Sequence, residues 1–196
     1  MTYLFHNIGT EKHSNYNRLE DILALPKDAL LTFDGIYYNV YENREALRGR
    51  KVILFVMGGF LGKDNTFDLA NVPKLERYCS WPEILEMHLN YGFELGYHSF
   101  SHLALDLAPV EDLDREIKPI DPRMKYFAYP AGRYNQNVLE VVKKYYEDAW
   151  TVGPCKGQQF EKGRQYLHGN SISNVSSRSR RAHRQIHKKK RTQVSP

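Results

Sequence analysis

Two imidazoles stand four positions apart in His98-Ser99-Phe100-Ser101-His102, directly after the apolar run Phe93–Tyr97. If this segment turned helically past the strand end, both rings would face the same way. Neutral imidazole is a standard ligand for zinc and similar ions, so the pair could chelate a metal; the alternative is two surface or capping histidines sharing a turn. A second apolar run, Leu30-Leu31-Thr32-Phe33, stops on Asp34 and Gly35. A carboxylate at the C-terminal edge of a strand can act as general base or metal ligand, and it can equally form the Asx-turn that ends the strand. A third run leads into Tyr129-Pro130-Ala131-Gly132-Arg133-Tyr134-Asn135, where Pro130 and Gly132 would fix a loop that projects Arg133 or Tyr134 in a defined direction. All three segments lie at strand ends, where α/β folds place their sites.

The elements that must position these residues are short apolar runs alternating with helical patterns, which argues for α/β architecture with parallel strands. Strands are predicted at Thr2–Phe5, Ala29–Phe33, Lys51–Met57, Phe93–Tyr97, Lys125–Tyr129 and Ala149–Val152. Ser80-Trp81-Pro82-Glu83 reads as a capping box ahead of the apolar positions Ile84, Leu85, Met87 and Leu89, and Gly92 suits the left-handed residue that closes a helix. Asn135 is expected to cap a second helix with the buried stripe Val138, Leu139, Val142 and Tyr146.

The chain has 196 residues, 41% of them apolar and 13% aromatic, which fits one domain with a substantial core and excludes disorder along its whole length. Its net charge of +5 divides unevenly. Residues 175–196 carry eight Lys and Arg and no acid, leaving 20 basic residues against 23 acids, a balance of −3, in residues 1–174. The folded domain is therefore expected to span 1–174, followed by a basic, disordered tail at 175–196. That tail could contact nucleic acid or an anionic surface, or simply be solvated; no aromatic residue interleaves its charges to support stacking on single strands. Cys79 and Cys155 match no metal or redox spacing and read as free, buried or partly buried thiols. No stretch approaches the roughly 18 apolar residues of a membrane span, and no signal-peptide pattern opens the chain, so a cytoplasmic protein is expected.

Taken in order, Thr32-Phe33-Asp34, then Gly96-Tyr97-His98-Ser99-Phe100-Ser101-His102, then Tyr129 to Asn135 resemble the motifs of the polysaccharide deacetylases, the NodB-homology carbohydrate esterases. The flanks are similar too: Val52–Gly62, Trp81–His102, Tyr146–Pro154, and Tyr3-Leu4-Phe5-His6 as the opening strand, so that the likeness covers roughly residues 3–172. The resemblance implies a distorted, incomplete (β/α) barrel of about six or seven parallel strands. It also implies a hydrolase that removes an N- or O-acetyl group from an acetylated sugar or polysaccharide precursor, with the help of a divalent metal, zinc or else cobalt, nickel or manganese. His98 and His102 would hold the metal, Asp34 would be the general base, and His168 would be either the late histidine that serves as general acid or an ordinary loop histidine. Tyr129, Pro130, Gly132, Arg133, Tyr134, Trp150 and His6 would line the substrate site, with a backbone N–H near Tyr129–Ala131 facing the oxyanion. Ala128 holds the place of the family's motif arginine, and Arg133, after the Gly, would hydrogen-bond Asp34 or a sugar hydroxyl or else be a solvated loop residue.

The family motif has a second Asp, a metal ligand, after the first, and Gly35 stands there. Three consequences stay open: Asp34 takes over as substitute ligand, the metal is bound weakly through more water, or catalysis is lost and the pocket survives as a carbohydrate-binding module.

Overall fold

The computed structural model describes residues 1–153 and 161–166, apart from 12, 14, 70, 71 and 73. From the N-terminus come β1 (Thr2–Phe5), β2 (Asn7–Ile8), β3 (Tyr16–Asn17), α1 (Leu19–Leu23), β4 (Leu30–Asp34), α2 (Tyr38–Glu42) and β5 (Lys51–Val56). They are followed by α3 (Trp81–Tyr91), β6 (Glu94–Tyr97), α4 (Val110–Ile117), β7 (Tyr126–Ala128), α5 (Gln136–Tyr145), β8 (Asp148–Val152) and β9 (Glu161–Tyr166). Seven strands pair in the order β1-β4-β5-β6-β7-β8-β9 and close into a barrel, every pair parallel, with β9 returning to β1. The expected (β/α) barrel is thus present, short of eight strands yet closed.

Six of the seven strands coincide with the apolar runs, to within one residue at each end. The seventh, Glu-Lys-Gly-Arg-Gln-Tyr, has no apolar run to reveal it. Parallel strands are covered on the outside by helices, so the strand's two faces bury different things. Leu31, Phe33, Val52, Leu54, Leu95, Phe127 and Ala149 pack outward with the helix residues Ile84, Met87, Leu113, Ile117, Val138 and Val142. Ile53, Phe55, Ala128 and Trp150, with Leu30 and Tyr126, fill the interior. Gly96 leaves room for this inner layer: a Cβ there would come within 2.5 Å of the Phe55 ring.

Helix α3 opens on the expected box, with the Ser80 N–H donating to the Glu83 carboxylate at 2.7 Å, and ends on Gly92 at φ +72°. Its buried face is Ile84 and Met87; Leu89 points to solvent, 69% exposed, because it falls outside that stripe. Asn135 caps α5 by accepting from the Val138 N–H, and the stripe Val138, Leu139, Val142 and Tyr146 is buried as expected. Cys79 is a buried free thiol, its pKa pushed up to about 12 by burial. Cys155 and the tail lie outside the described residues. Among the described residues, no helix is long and apolar enough to cross a membrane.

Candidate active site

Asp34 is the last residue of β4, and period-2 alternation turns its side chain into the barrel rather than toward the helices. It is 4% exposed. A charge so buried needs a partner, and Arg164 of β9 provides one, its Nη2 donating to Asp34 Oδ2 at 2.8 Å and its Nη1 to the other oxygen. Arg164 is itself buried, and its Nη1 also reaches Thr32 Oγ1 at 3.3 Å. Burial by itself would raise the Asp34 pKa; the Arg164 guanidinium overrides it and holds the carboxyl below its ordinary value. Asp34 is therefore an anion oriented by a fork of two hydrogen bonds. Arg133, the arginine expected beside Asp34, instead pairs with Asp106 at 2.7 Å, because its loop turns it away from the barrel toward the segment before α4.

His98 follows β6 directly and faces the same interior. Its Nδ1 lies 2.7 Å from the Ala128 carbonyl, so in the neutral ring Nδ1 carries the hydrogen and the Nε2 lone pair is presented to the cleft. Burial, only partly offset by Asp34, pushes the His98 pKa down to about 3, and the ring is neutral at ordinary pH. The 3.7 Å approach of Nε2 to Asp34 Oδ2 is then a lone pair facing a carboxylate rather than an ion pair.

His102 lies beside His98 with ring centroids 4.9 Å apart, but the pair is not brought together by a helical turn. Residues 98–102 form a loop in which Ser99 and His102 have φ of +66° and +58°. Ser99 Oγ accepts the His102 N–H at 2.9 Å. From α4, the buried Glu116 carboxylate accepts from the Ser101 N–H and hydroxyl at 2.9 and 2.8 Å. The only other described non-glycine residue with positive φ is Ala131, in the loop after β7. Such backbone is uncommon for non-glycine residues and concentrates where a fold holds a functional geometry.

His6, Asp34, Gly35, Tyr37, Met57, Phe67, Tyr78, His98 and His102 line one cleft. His6 is brought there by the end of β1 and held by the small β2–β3 pair, where Asn39 of α2 bonds both Asn7 and the Ile8 N–H. Gly35 carries no second carboxylate, and its φ of +61° is a left-handed conformation that strains any L side chain placed there. Among the described residues, no three His, Cys, Asp or Glu side chains gather closely enough to hold a metal. What the structure does place together is a neutral His98 ring with a fixed tautomer, its neighbour His102, and the anionic Asp34 carboxylate facing the His98 lone pair.

The other expected substrate residues support the site without lining the cleft. The Tyr129 ring packs outward on Tyr134 at 4.4 Å, and its N–H is engaged by the Trp150 carbonyl and so does not face an oxyanion. Pro130 is buried, and the Gly132 carbonyl accepts from Thr151 Oγ1, locking the loop to β8. Trp150 belongs to the inner layer of the barrel, its ring against Phe55 and Tyr126, since its place on β8 is one turn of alternation below the mouth. What reaches the site from this part of the chain is the Ala128 carbonyl, at the end of β7 just before the third motif. Arg164 and Glu116 were missed by the sequence reading; the only signal for Arg164 was that a buried Asp34 requires a counter-charge. His168 lies outside the described residues.

A closed parallel barrel with an anionic aspartate, an arginine fork and paired imidazoles at its C-terminal mouth defines the class. The model of the polysaccharide deacetylase family matches residues 24–149, and the chain belongs to that family. Similar solved structures include IcaB from Ammonifex degensii, 19% identical with a TM-score of 0.67, covering 90% of this chain and 94% of that one. The Streptococcus pyogenes deacetylase PplD in complex with acetate is 17% identical, TM-score 0.65, covering 90% and 96%. BC0361, a polysaccharide deacetylase from Bacillus cereus, is 17% identical, TM-score 0.63, covering 90% and 67%. No curated protein sequence matches the chain.

Proposed function

We propose that this protein is a carbohydrate deacetylase that hydrolyses the acetyl group of an acetylated sugar. The observation that carries the reading is the ionised Asp34, aimed by Arg164 into the cleft that His98 and His102 share. Asp34 would take a proton from water as the water oxygen bonds to the acetyl carbonyl carbon; the acetyl carbon–nitrogen or carbon–oxygen bond then breaks as the tetrahedral adduct collapses, releasing acetate. The departing amine or alkoxide needs a proton in return, and His168 is the candidate donor. The residues that would hold a divalent ion, zinc, cobalt, nickel or manganese, are His98 and His102, with Asp34 at its edge. Such an ion supplies a Lewis acid for the acetyl carbonyl. Holding Asp34 and the two rings in fixed orientations is this chain's own part in that chemistry.

Gly35 supports a second reading, a carbohydrate-binding protein that has lost turnover, since two protein ligands are fewer than the three usual for a catalytic zinc. Acetate release from acetylated chitooligosaccharides and acetylated xylan, with added zinc or cobalt, separates the two. The enzyme reading expects release that Asp34→Asn and His98→Ala both abolish. Oligosaccharide binding with no acetate released under any metal would establish the second reading instead.

A further inference from the structure

Phe67 lines the cleft with Asp34, His98 and His102, yet it is 48% exposed, while its cleft neighbours Tyr37 and Tyr78 are buried. One side of its ring is backed by Phe60, with centroids 4.1 Å apart and planes 28° apart, and Tyr78 lies behind at 6.3 Å. Tyr78 in turn rests on Tyr37 at 4.3 Å, their hydroxyls 2.7 Å apart. A file of rings therefore runs from the core to the cleft rim and ends on a half-exposed phenyl.

The turn just ahead of that phenyl is hydrogen-bonded to the strand-like segment that follows. The fully buried Asn65 donates to the Lys74 carbonyl at 3.0 Å and accepts from the Glu76 N–H at 2.8 Å. Asp64 accepts from the Thr66 N–H and hydroxyl, and Asp64 bridges Arg77 across the ribbon. An apolar ring pre-organised in the open, beside a carboxylate and imidazoles, matches a partner with an apolar face and a polar rim. A pyranose ring is such a partner: its axial C–H groups form a face, and its hydroxyls and acetamido or acetoxy group ring the edge.

We propose that Phe67 is a sugar-binding residue, the platform against which the ring bearing the acetyl group lies while that group reaches Asp34 and the histidines. The chemistry at the far end rests on the deacetylase reading; the binding role does not. The test compares wild type, Phe67→Ala and Phe67→Trp, using an N-acetylglucosamine tetrasaccharide as the sugar and ethyl acetate as an acetyl donor without a ring. Binding is followed by calorimetric titration and turnover by acetate release with added zinc. Phe67→Ala is expected to raise Kd and KM for the tetrasaccharide roughly tenfold. The fall in kcat/KM for the tetrasaccharide should exceed any fall in the ethyl acetate rate severalfold, and Phe67→Trp should retain wild-type binding. Equal losses on both acetyl donors, or tetrasaccharide binding undiminished in Phe67→Ala, would overturn the proposal. If wild type releases no acetate from either compound, nor from acetylated xylan with zinc or cobalt, the deacetylase reading fails while the titration still decides on Phe67: loss in Phe67→Ala with retention in Phe67→Trp upholds the platform, and a wild type that does not bind the tetrasaccharide removes it.

Discussion

Arg164 and Asp34 are each tolerable in the interior only because of the other. Removing one partner of a buried pair leaves an uncompensated charge, which typically costs about 3–5 kcal/mol, whereas replacing both with apolar groups can be neutral. Arg164→Leu is therefore expected to destabilise the protein by about that amount, and adding Asp34→Leu to recover most of it; urea unfolding of both variants measures the difference. At Gly35 the left-handed backbone sets a smaller penalty. Gly35→Ala is expected to cost about 1–2 kcal/mol, read from the same unfolding curves, and no loss would mean that the turn relaxes. His98, His102 and Asp34 were legible from the chain because their types and their places after apolar runs are local. Arg164 was not, because its partner lies 130 positions away and no spacing rule spans that distance.

Two helices set the precision of the site from outside it. Glu116, on α4, holds the loop that carries His102 through charge-assisted bonds, which are worth roughly 1.5–3 kcal/mol each. Glu116→Ala should lower stability by about 1–3 kcal/mol and speed amide exchange at residues 99–102 well before α5 is affected. Helix α3 is anchored at its start by Glu83, whose pKa is lowered from 4.5 to about 2, chiefly by its hydrogen bonds from Arg77. The carboxylate form is the favoured one in the fold, so this contribution is complete above pH 4.5 and is lost as the pH falls toward 2. Glu83→Gln is expected to flatten the stability profile across that acid window, and an unchanged slope would place the dependence elsewhere. The capping signals for α3 and α5 were readable because caps are local chemistry; the exposure of Leu89 was not, because which flank of a helix meets the barrel is a tertiary matter.

The whole barrel depends on its least apolar strand. β9 carries charged and polar residues, and of its described side chains only Arg164 is buried, yet it pairs with both β8 and β1 to close the ring. Hydrophobic patterning found six strands and missed this one because its inward contribution is a guanidinium. Ending the chain before Glu161 should abolish cooperative unfolding, since β1 and β8 would become open edges and Asp34 would lose its partner. A sharp, single transition retained by such a truncation, monitored by near- and far-ultraviolet circular dichroism together, would show that closure is dispensable.

That closing strand also imposes an order in time. Synthesis proceeds from the N-terminus at about 5–20 residues per second, so Arg164 follows Asp34 off the ribosome by on the order of ten seconds. Through that interval the carboxylate has no guanidinium to make its burial tolerable, and the strand bearing it has every reason to stay hydrated or protonated. The ion pair that makes Asp34 tolerable in the interior can therefore form only once β9 has been made, and closure of the barrel and ordering of the cleft become one event.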